Sequence, residues 1–82
     1  MGKLTVLYFA SARDLVGKPR ESLELKGRTT AGEVLDRIVR EHPGLRPMRG
    51  SIRLSVNHEI ADTRTQVDDG DEIGVLPPVA GG

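Results

Sequence analysis

The strongest structural signal in this chain is one amphipathic helix that begins at Thr30. The segment Thr30-Ala31-Gly32-Glu33 matches the capping box, in which a threonine oxygen and a glutamate side chain satisfy backbone N–H groups at a helix start. Pro43-Gly44 predicts that the helix ends near His42. Apolar residues recur at helical spacing between these limits, at Ala31, Val34, Leu35, Ile38 and Val39. Because a single helix has one apolar stripe to bury, the remaining elements must form a layer of strands against it.

Alternating apolar and polar residues predict strands on both sides of this helix. Residues 4–10 and 21–25 precede it, and residues 51–56 and 72–76 follow it, with a short segment around Ile60 between the last two. A short helix over residues 11–16, closed by Gly17, separates the first two strands. Asn57-His58 and the segment 68–71 are predicted to be turns. This order predicts an α+β fold of the β-grasp type, with a small mixed sheet packed around one main helix.

The chain has 82 residues, so we expect a single domain with a modest core. Its only aromatic residues are Tyr8 and Phe9, and aliphatic side chains must therefore build that core. We expect residues 1–76 to form the domain and residues 77–82, with the sequence Pro-Pro-Val-Ala-Gly-Gly, to form an extended tail. The predicted core residues are Leu4, Val6, Val34, Leu35, Ile38, Ile52, Leu54, Val56, Ile73 and Val75.

Composition excludes several classes of function. Twelve basic and twelve acidic side chains cancel, and no basic stripe interleaves with aromatics, so we expect no nucleic-acid partner. The sequence has no apolar run of membrane-spanning length and no secretory signal, which favours a cytoplasmic location without a membrane partner. Without cysteine there is no disulfide, cysteine zinc site or thiol nucleophile. We also expect no metal site, because the acidic segment 68–72 lacks calcium-loop spacing and neither His42 nor His58 has a ligand nearby in sequence.

An apolar patch is expected on the side of the sheet that faces away from the helix. Strand alternation places Phe9 and Leu76 on that side, with Ile60 beside them. Exposed apolar surface of this kind marks a site for a protein partner. The alternatives are that a loop covers these residues or that the strand register differs by one.

The last six residues have the composition of a reactive tail. Pro77 and Pro78 cannot continue a strand ladder and favour an extended course, and Val79-Ala80 separate them from Gly81-Gly82. Fully extended, six residues span roughly 20 Å. Because glycine lacks a Cβ, a partner's catalytic groups can approach the carboxylate of Gly82 closely. The alternative is an ordinary frayed terminus.

These segments resemble the sulfur-carrying small subunits of molybdopterin synthase, a ubiquitin-related family. Val6-Leu7-Tyr8-Phe9-Ala10, followed by Arg13-Asp14-Leu15-Val16-Gly17, is similar to their opening. Asp69-Gly70-Asp71-Glu72-Ile73 and the final Pro-Pro-Val-Ala-Gly-Gly are similar to their ending. His42-Pro43-Gly44-Leu45 and Val56-Asn57 also match segments common in these subunits. The similarity runs in order along nearly the whole chain.

The resemblance implies a specific chemistry at Gly82, with Gly81 as part of the same reactive end. An E1-like adenylyltransferase uses ATP and magnesium to convert the Gly82 carboxylate to an acyl adenylate, and a persulfide-derived sulfur then replaces AMP. The resulting thiocarboxylate donates sulfur to a pyranopterin precursor and so forms the dithiolene of molybdopterin. The chain itself binds no cofactor in this scheme and is a sulfur-donating subunit, because the catalytic pocket lies on the large subunit.

The resemblance also implies partners and contact residues. The partners are the large subunit of the synthase, in a heterotetramer, and the E1-like adenylyltransferase. Phe9, Ile60 and Leu76 match hydrophobic contact positions of the family, and Arg13 matches a basic position near them. We expect the tail residues Pro77, Pro78, Val79 and Ala80 to contact the partner as well. Leu76 is aliphatic where the family often has an aromatic residue.

Diglycine ends are shared by other proteins of this fold, and three alternatives remain. The first is a sulfur carrier for thiamin synthesis or tRNA thiolation. The second is a ubiquitin-like modifier whose Gly82 forms isopeptide bonds with lysines. The third is a purely structural binding module.

Overall fold

The computed structural model describes residues 2–78 of the chain. Its main elements are a five-stranded sheet and one helix of 11 residues. In chain order the elements are β1 Gly2–Tyr8, α1 Ala10–Val16, β2 Arg20–Leu25, β3 Thr29–Thr30, α2 Ala31–Glu41, a 3-10 segment Pro43–Ser51, β4 Arg53–Val56, β5 Glu59–Ala61, β6 Gln66–Val67 and β7 Glu72–Leu76. Within these described residues, no helix is both long enough and apolar enough to cross a membrane.

The main sheet has the strand order β2-β1-β7-β4-β5. Its central pair, β1 and β7, is parallel, whereas β2, β4 and β5 pair antiparallel to their neighbours. The short strands β3 and β6 form a separate antiparallel pair beside the start of α2. This mixed sheet with one main helix is the predicted β-grasp fold.

The main helix begins and ends where the sequence predicts. The hydroxyl oxygen of Thr30 accepts a hydrogen bond from the backbone N–H of Glu33 at 3.3 Å. The Glu33 carboxylate in turn accepts hydrogen bonds from the hydroxyls of Thr29 and Thr30. At the other end, the N–H of His42 donates to the carbonyl of Ile38 at 2.8 Å, and Pro43 follows. The threonine half of the predicted capping box is therefore confirmed, whereas the Glu33 carboxylate bonds to hydroxyls and not to a backbone N–H.

The core lies between α2 and the facing side of the sheet, which we call the inner face. Eight of the ten predicted core residues are buried, whereas Ile52 and Val56 are only partly buried and pack at its margin. Ala31 and Val39 of the predicted helix stripe are buried as well, and the core also contains residues that the prediction omitted: Tyr8, Ala12, Leu23, Leu25, Leu45 and Val67.

Two of these additions correct the prediction for the segments that flank the sheet. The sequence pattern predicts no helix or strand between the end of α2 and residue 51, but Pro43–Ser51 form a 3-10 segment that folds back on the helix and fully buries Leu45. The short strands β3 and β6 were not predicted, and their pairing leaves Val67 with no exposed surface. Strands of two residues have too little alternation to be recognised in a sequence.

Two predicted turns are confirmed by positive φ angles. Gly17 closes α1 with a φ of 89° and donates its N–H to the carbonyl of Arg13. Asn57 and His58 have φ angles of 52° and 73°, which fits the tight hairpin turn between β4 and β5. The side chain of Asn57 also accepts a hydrogen bond from the N–H of Glu72 at 2.9 Å, which fixes this turn to the start of β7.

A polar cluster joins the end of α2 to the edge of the sheet. Glu21, on the inner face of β2, accepts hydrogen bonds from the Tyr8 hydroxyl and from His42 Nε2, the latter at 2.7 Å. Lys18 Nζ lies 3.2 Å from the other carboxylate oxygen. The rings of Tyr8 and His42 meet edge to face, with centroids 5.8 Å apart. His42 thus has a partner that is distant in sequence, and the contact supports the fold.

Burial and hydrogen bonding act in opposite directions on Glu21. Burial raises the pKa of its carboxyl, but the hydrogen bonds from Tyr8, His42 and Lys18 outweigh it and hold the pKa below the ordinary value of 4.5. Burial and the hydrogen bond to Glu21 both raise the pKa of Tyr8, so its hydroxyl keeps the proton that it donates. At neutral pH the cluster is therefore an ionised carboxylate surrounded by donors.

Replacing Thr30 with alanine tests the helix cap. Thr30→Ala removes the oxygen that accepts from Glu33 N–H, and we expect the free energy of unfolding to fall by about 1 kcal/mol. Urea unfolding followed by circular dichroism measures the loss. Thr29→Ala is the control, because it removes only an exposed hydroxyl contact with Glu33. An equal loss in both variants would show that the cap is not the stabilising contact.

Replacing Glu21 with glutamine tests the polar cluster. Glu21→Gln should lower the free energy of unfolding by about 2 kcal/mol at pH 7, because hydrogen bonds to a charged acceptor are lost. The pKa of Glu21 is lowered in the folded state, so its contribution is present above the unfolded-state pKa and is lost as pH falls through the folded-state pKa. Urea titrations from pH 7 to about pH 3 should show the difference shrinking. A difference that stays constant over this range would contradict the assignment.

Candidate functional site

The side of the sheet that faces away from α2, which we call the outer face, has an unusual number of apolar side chains. On this face, residues of neighbouring strands lie in register and form rows across the sheet. One row runs Arg20, Leu7, Gly74, Ser55 and Ile60 from β2 to β5. Strand alternation places these residues opposite the buried side chains of the same strands. The centre of the outer face is thus apolar or small.

A second row lies next to the first, at the end of the sheet where β1 and β7 finish. Leu76 of β7 is in register with Arg53 of β4. Phe9, which follows β1, donates its N–H to the carbonyl of Val75 at 3.2 Å and so continues the pairing of β1 with β7. Phe9 and Leu76 therefore lie together on the outer face, as the sequence predicts.

The predicted patch is exposed in the structure. Phe9 has 43% of its surface exposed and Ile60 has 65%, whereas Leu76 is half-buried. We call Phe9, Ile60 and Leu76, together with Leu7, the apolar patch. No loop within the described residues buries these side chains. The strand register places them on the outer face, as predicted. Its role in binding a partner stays a prediction.

Gly74 lies beneath the patch and was not predicted to belong to the site. A Cβ at this position would lie 3.3 Å from Cε2 of the Phe9 ring and would overlap Ser55 Oγ. The phenyl ring therefore comes close to the backbone of β7 at Gly74, where a side chain would crowd it. The sequence carries one signal of this arrangement, because Gly74 occupies an outward position between two buried residues of the same strand.

The tail leaves the domain beside this patch. Strand β7 ends at Leu76, and Pro77 and Pro78 follow without strand pairing. Pro77 is half-buried and Pro78 is exposed. The predicted site residues Val79, Ala80, Gly81 and Gly82 lie outside the described residues. The structure thus shows where the tail starts, next to Phe9, and the roles of its last four residues stay predictions.

Arg13 lies on α1, one helical turn beyond Phe9. Its backbone N–H donates to the carbonyl of Phe9 at 3.4 Å, and its side chain is exposed. Within residues 2–78 no ion pair involves this guanidinium. Arg13 is therefore available for an external contact near the patch.

The histidines of the described part of the chain contact acidic residues and do not belong to a metal-binding cluster. Over residues 2–78, no group of three or more histidine, cysteine or acidic residues is placed to hold a metal ion. His42 is engaged with Glu21, and His58 lies 2.9 Å from Glu72 at an exposed turn. What the geometry provides is an exposed apolar surface beside the end of β7, where Pro77 and Pro78 leave the sheet.

Comparisons with known proteins agree with this arrangement. The molybdopterin synthase sulfur carrier subunit of Mycobacterium tuberculosis is 37% identical, over 100% of both chains. Small archaeal modifier protein 1 of H. volcanii superposes with a TM-score of 0.84 at 26% identity, over 96% of this chain and 100% of that one. A chain from the complex of subunits 1 and 2 of the molybdopterin-converting factor of Helicobacter pylori gives a TM-score of 0.69 at 26% identity, over 98% of this chain and 99% of that one.

A family model also covers most of the sequence. The model described as the ThiS family matches residues 6–82, which include the apolar patch, Arg13 and the whole tail. Together with the full-length similarity to the mycobacterial protein, this match shows that the chain belongs to the ThiS family.

Proposed function

We propose that this chain is the sulfur carrier subunit of molybdopterin synthase. The observation that carries the proposal is the start of the tail beside an exposed apolar patch, since docking of that patch would direct the tail into a partner. The choice of pathway is supported by the mycobacterial relative, which is named a molybdopterin synthase sulfur carrier subunit and matches over its full length. The Helicobacter pylori neighbour comes from a complex of two subunits, which supports a larger subunit as partner.

The proposed chemistry takes place on the main-chain carboxylate of Gly82. A carboxylate is a poor electrophile, and adenylation by an E1-like enzyme with ATP and magnesium provides AMP as a good leaving group. A persulfide-derived sulfur then displaces AMP and leaves a C-terminal thiocarboxylate. In the large subunit this sulfur attacks the pyranopterin precursor, and two such transfers supply the dithiolene. This chain binds neither ATP nor magnesium itself in the proposal, and it acts as a sulfur donor.

The two partners are proposed to use the same surface in turn. Because there is one tail, only the activating enzyme or the large subunit can hold its end at a given time. Phe9, Ile60 and Leu76 would supply the apolar contact and Arg13 a charged contact beside it. The tail residues Pro77 to Ala80 would line the passage to the partner's reaction centre, where glycine at positions 81 and 82 leaves room for the reacting groups.

A protein modifier is the second candidate. The modifier of H. volcanii superposes with a TM-score of 0.84, compared with 0.69 for the chain from the Helicobacter pylori complex. Modification would start from the same acyl adenylate. The nucleophile that displaces AMP would then be the amine of a lysine on a target protein, and not a sulfur atom. The two functions therefore share the first step and differ in the final nucleophile.

Intact-mass spectrometry tests the proposed reaction. After incubation with the activating enzyme, ATP, magnesium and a sulfur donor, we expect the mass change of one oxygen exchanged for sulfur at Gly82. Deletion of Gly82 should abolish this exchange and leave the melting temperature within about 2 °C of the parent, because an exposed terminus contributes little to stability. Lysine-linked conjugates without any thiocarboxylate would favour the modifier. A large fall in melting temperature would indicate that the tail supports the fold.

Substitution of Phe9 tests the docking surface. Phe9→Arg places a charge in the centre of the apolar patch, and we expect affinity for the large subunit to fall at least tenfold, or about 1.4 kcal/mol. Isothermal titration calorimetry measures the change. Leu15→Arg is a matched control, because Leu15 is 48% exposed but lies on α1 and outside the patch. If both variants bind as the parent does, the outer face is not the docking surface.

A further inference from the structure

The charged residues of the outer face are distributed unequally between its two ends. At the end far from the tail, basic side chains are compensated by acidic neighbours. Lys3 and Glu24 are in register on neighbouring strands, and Glu72 lies 2.9 Å from His58 Nε2. Lys3 and His58 thus each have an acidic residue beside them.

The end near the tail carries two arginines without such compensation. Arg20, on the edge strand β2, is in register with Leu7, and Arg53, on β4, is in register with Leu76. Both side chains are exposed. None of the ion pairs formed within residues 2–78 involves either of them. This end of the outer face is therefore positively charged in the free protein.

The two arginines lie on opposite sides of Leu7, Phe9 and Leu76, and the fourth residue of the apolar patch, Ile60, lies on β5 beyond Arg53. Strands β1 and β7, which carry Leu7, Phe9 and Leu76, run between β2 and β4. Three strand spacings across the sheet and two residues along it separate the backbones of Arg20 and Arg53, which places them about 16 Å apart. The tail starts from β7 between them. An approaching protein thus meets an apolar centre with a positive charge on each side.

We propose that Arg20 and Arg53 form a pair of charge contacts that orient the large subunit on the apolar patch. The inference rests on the proposed function and adds the chemistry of the partner surface. That surface presents an apolar centre between two acidic groups whose spacing matches that of the arginines. The apolar contact alone fixes position but leaves rotation about its own axis free. Two charge contacts on either side of it remove that freedom and set the direction in which the tail leaves.

The electrostatics of exposed charges supports separate roles for the apolar contact, which fixes position, and the arginines, which fix orientation. Exposed arginines at the rim of an interface contribute mainly to the rate and orientation of encounter, and less to the final affinity. Their interaction with acidic groups weakens with salt, because the Debye length falls from about 30 Å at 0.01 M to about 8 Å at 0.15 M ionic strength. The chain as a whole has no net charge, so any steering must come from a local arrangement of this kind.

Association kinetics of full-length variants with the large subunit test the proposal. In the outer-face variant, Arg20→Glu is combined with Arg53→Glu. In the matched control, Arg40→Glu is combined with Arg64→Glu, which makes the same change in net charge at exposed residues of α2 and of the segment between β5 and β6. Association rates are measured by stopped flow at several ionic strengths, and melting temperatures confirm folding. If the charge-reversed outer-face variant does not fold, Arg20→Gln combined with Arg53→Gln is measured instead.

We expect the outer-face variant to associate about tenfold more slowly than the parent at low ionic strength, with a weaker dependence on salt. The control should lose much less than this. Equal slowing in both double variants would overturn the inference and leave the proposed function intact. The inference is also overturned if the outer-face variant associates normally with the large subunit but loses binding to anionic vesicles or RNA. The arginines would then bind another partner, and the proposed function would remain intact. If the parent does not bind the large subunit at all, the proposed function itself is wrong.

Discussion

The parallel pairing of β1 with β7 is the interaction on which the rest of the structure depends. These strands come from the two ends of the domain, and their register sets both faces of the sheet at once. On the inner face it brings Val6 beside Ile73 in the core under α2. On the outer face it brings Phe9 beside Leu76 and places the start of the tail at the same edge. A slip of one residue would exchange the two faces and destroy both the core and the apolar patch.

The partly buried polar cluster of Tyr8, Glu21 and His42 complements this pairing on the other side of the sheet. Tyr8, Glu21 and His42 come from β1, β2 and the end of α2, and the carboxylate between them gives these three elements one fixed arrangement. Tyr8 directly precedes Phe9, so the residue that anchors the core is the neighbour of the residue that forms the patch. In a domain with only two aromatic residues, this places both of them at the edge where the tail begins.

Much of the candidate site could be predicted because it follows from local patterns. The exposure of Phe9 and Ile60 follows from alternation along their own strands, and the tail is recognisable from its composition. Gly74 was missed because its importance comes from the ring of Phe9, which reaches it across the strand pairing. Arg20 and Arg53 have no distinguishing feature in the sequence, because what sets them apart is their position on opposite sides of Leu7, Phe9 and Leu76.

The sequence by itself determined the main helix with its cap, the principal strands, the turns at Gly17 and Asn57, and the α+β class of the fold. Each of these depends on contacts between residues a few positions apart, and such contacts can be predicted from the local order of side chains. Only the tertiary structure decided that Leu45 and Val67 are buried, that β3 pairs with β6, and that Glu21 joins His42. Each of these depends on residues that are far apart in the chain, and local patterns contain no information about which distant backbone or side-chain group will be the partner. The docking surface combines both kinds of information, since alternation exposes its side chains and the strand order brings them together.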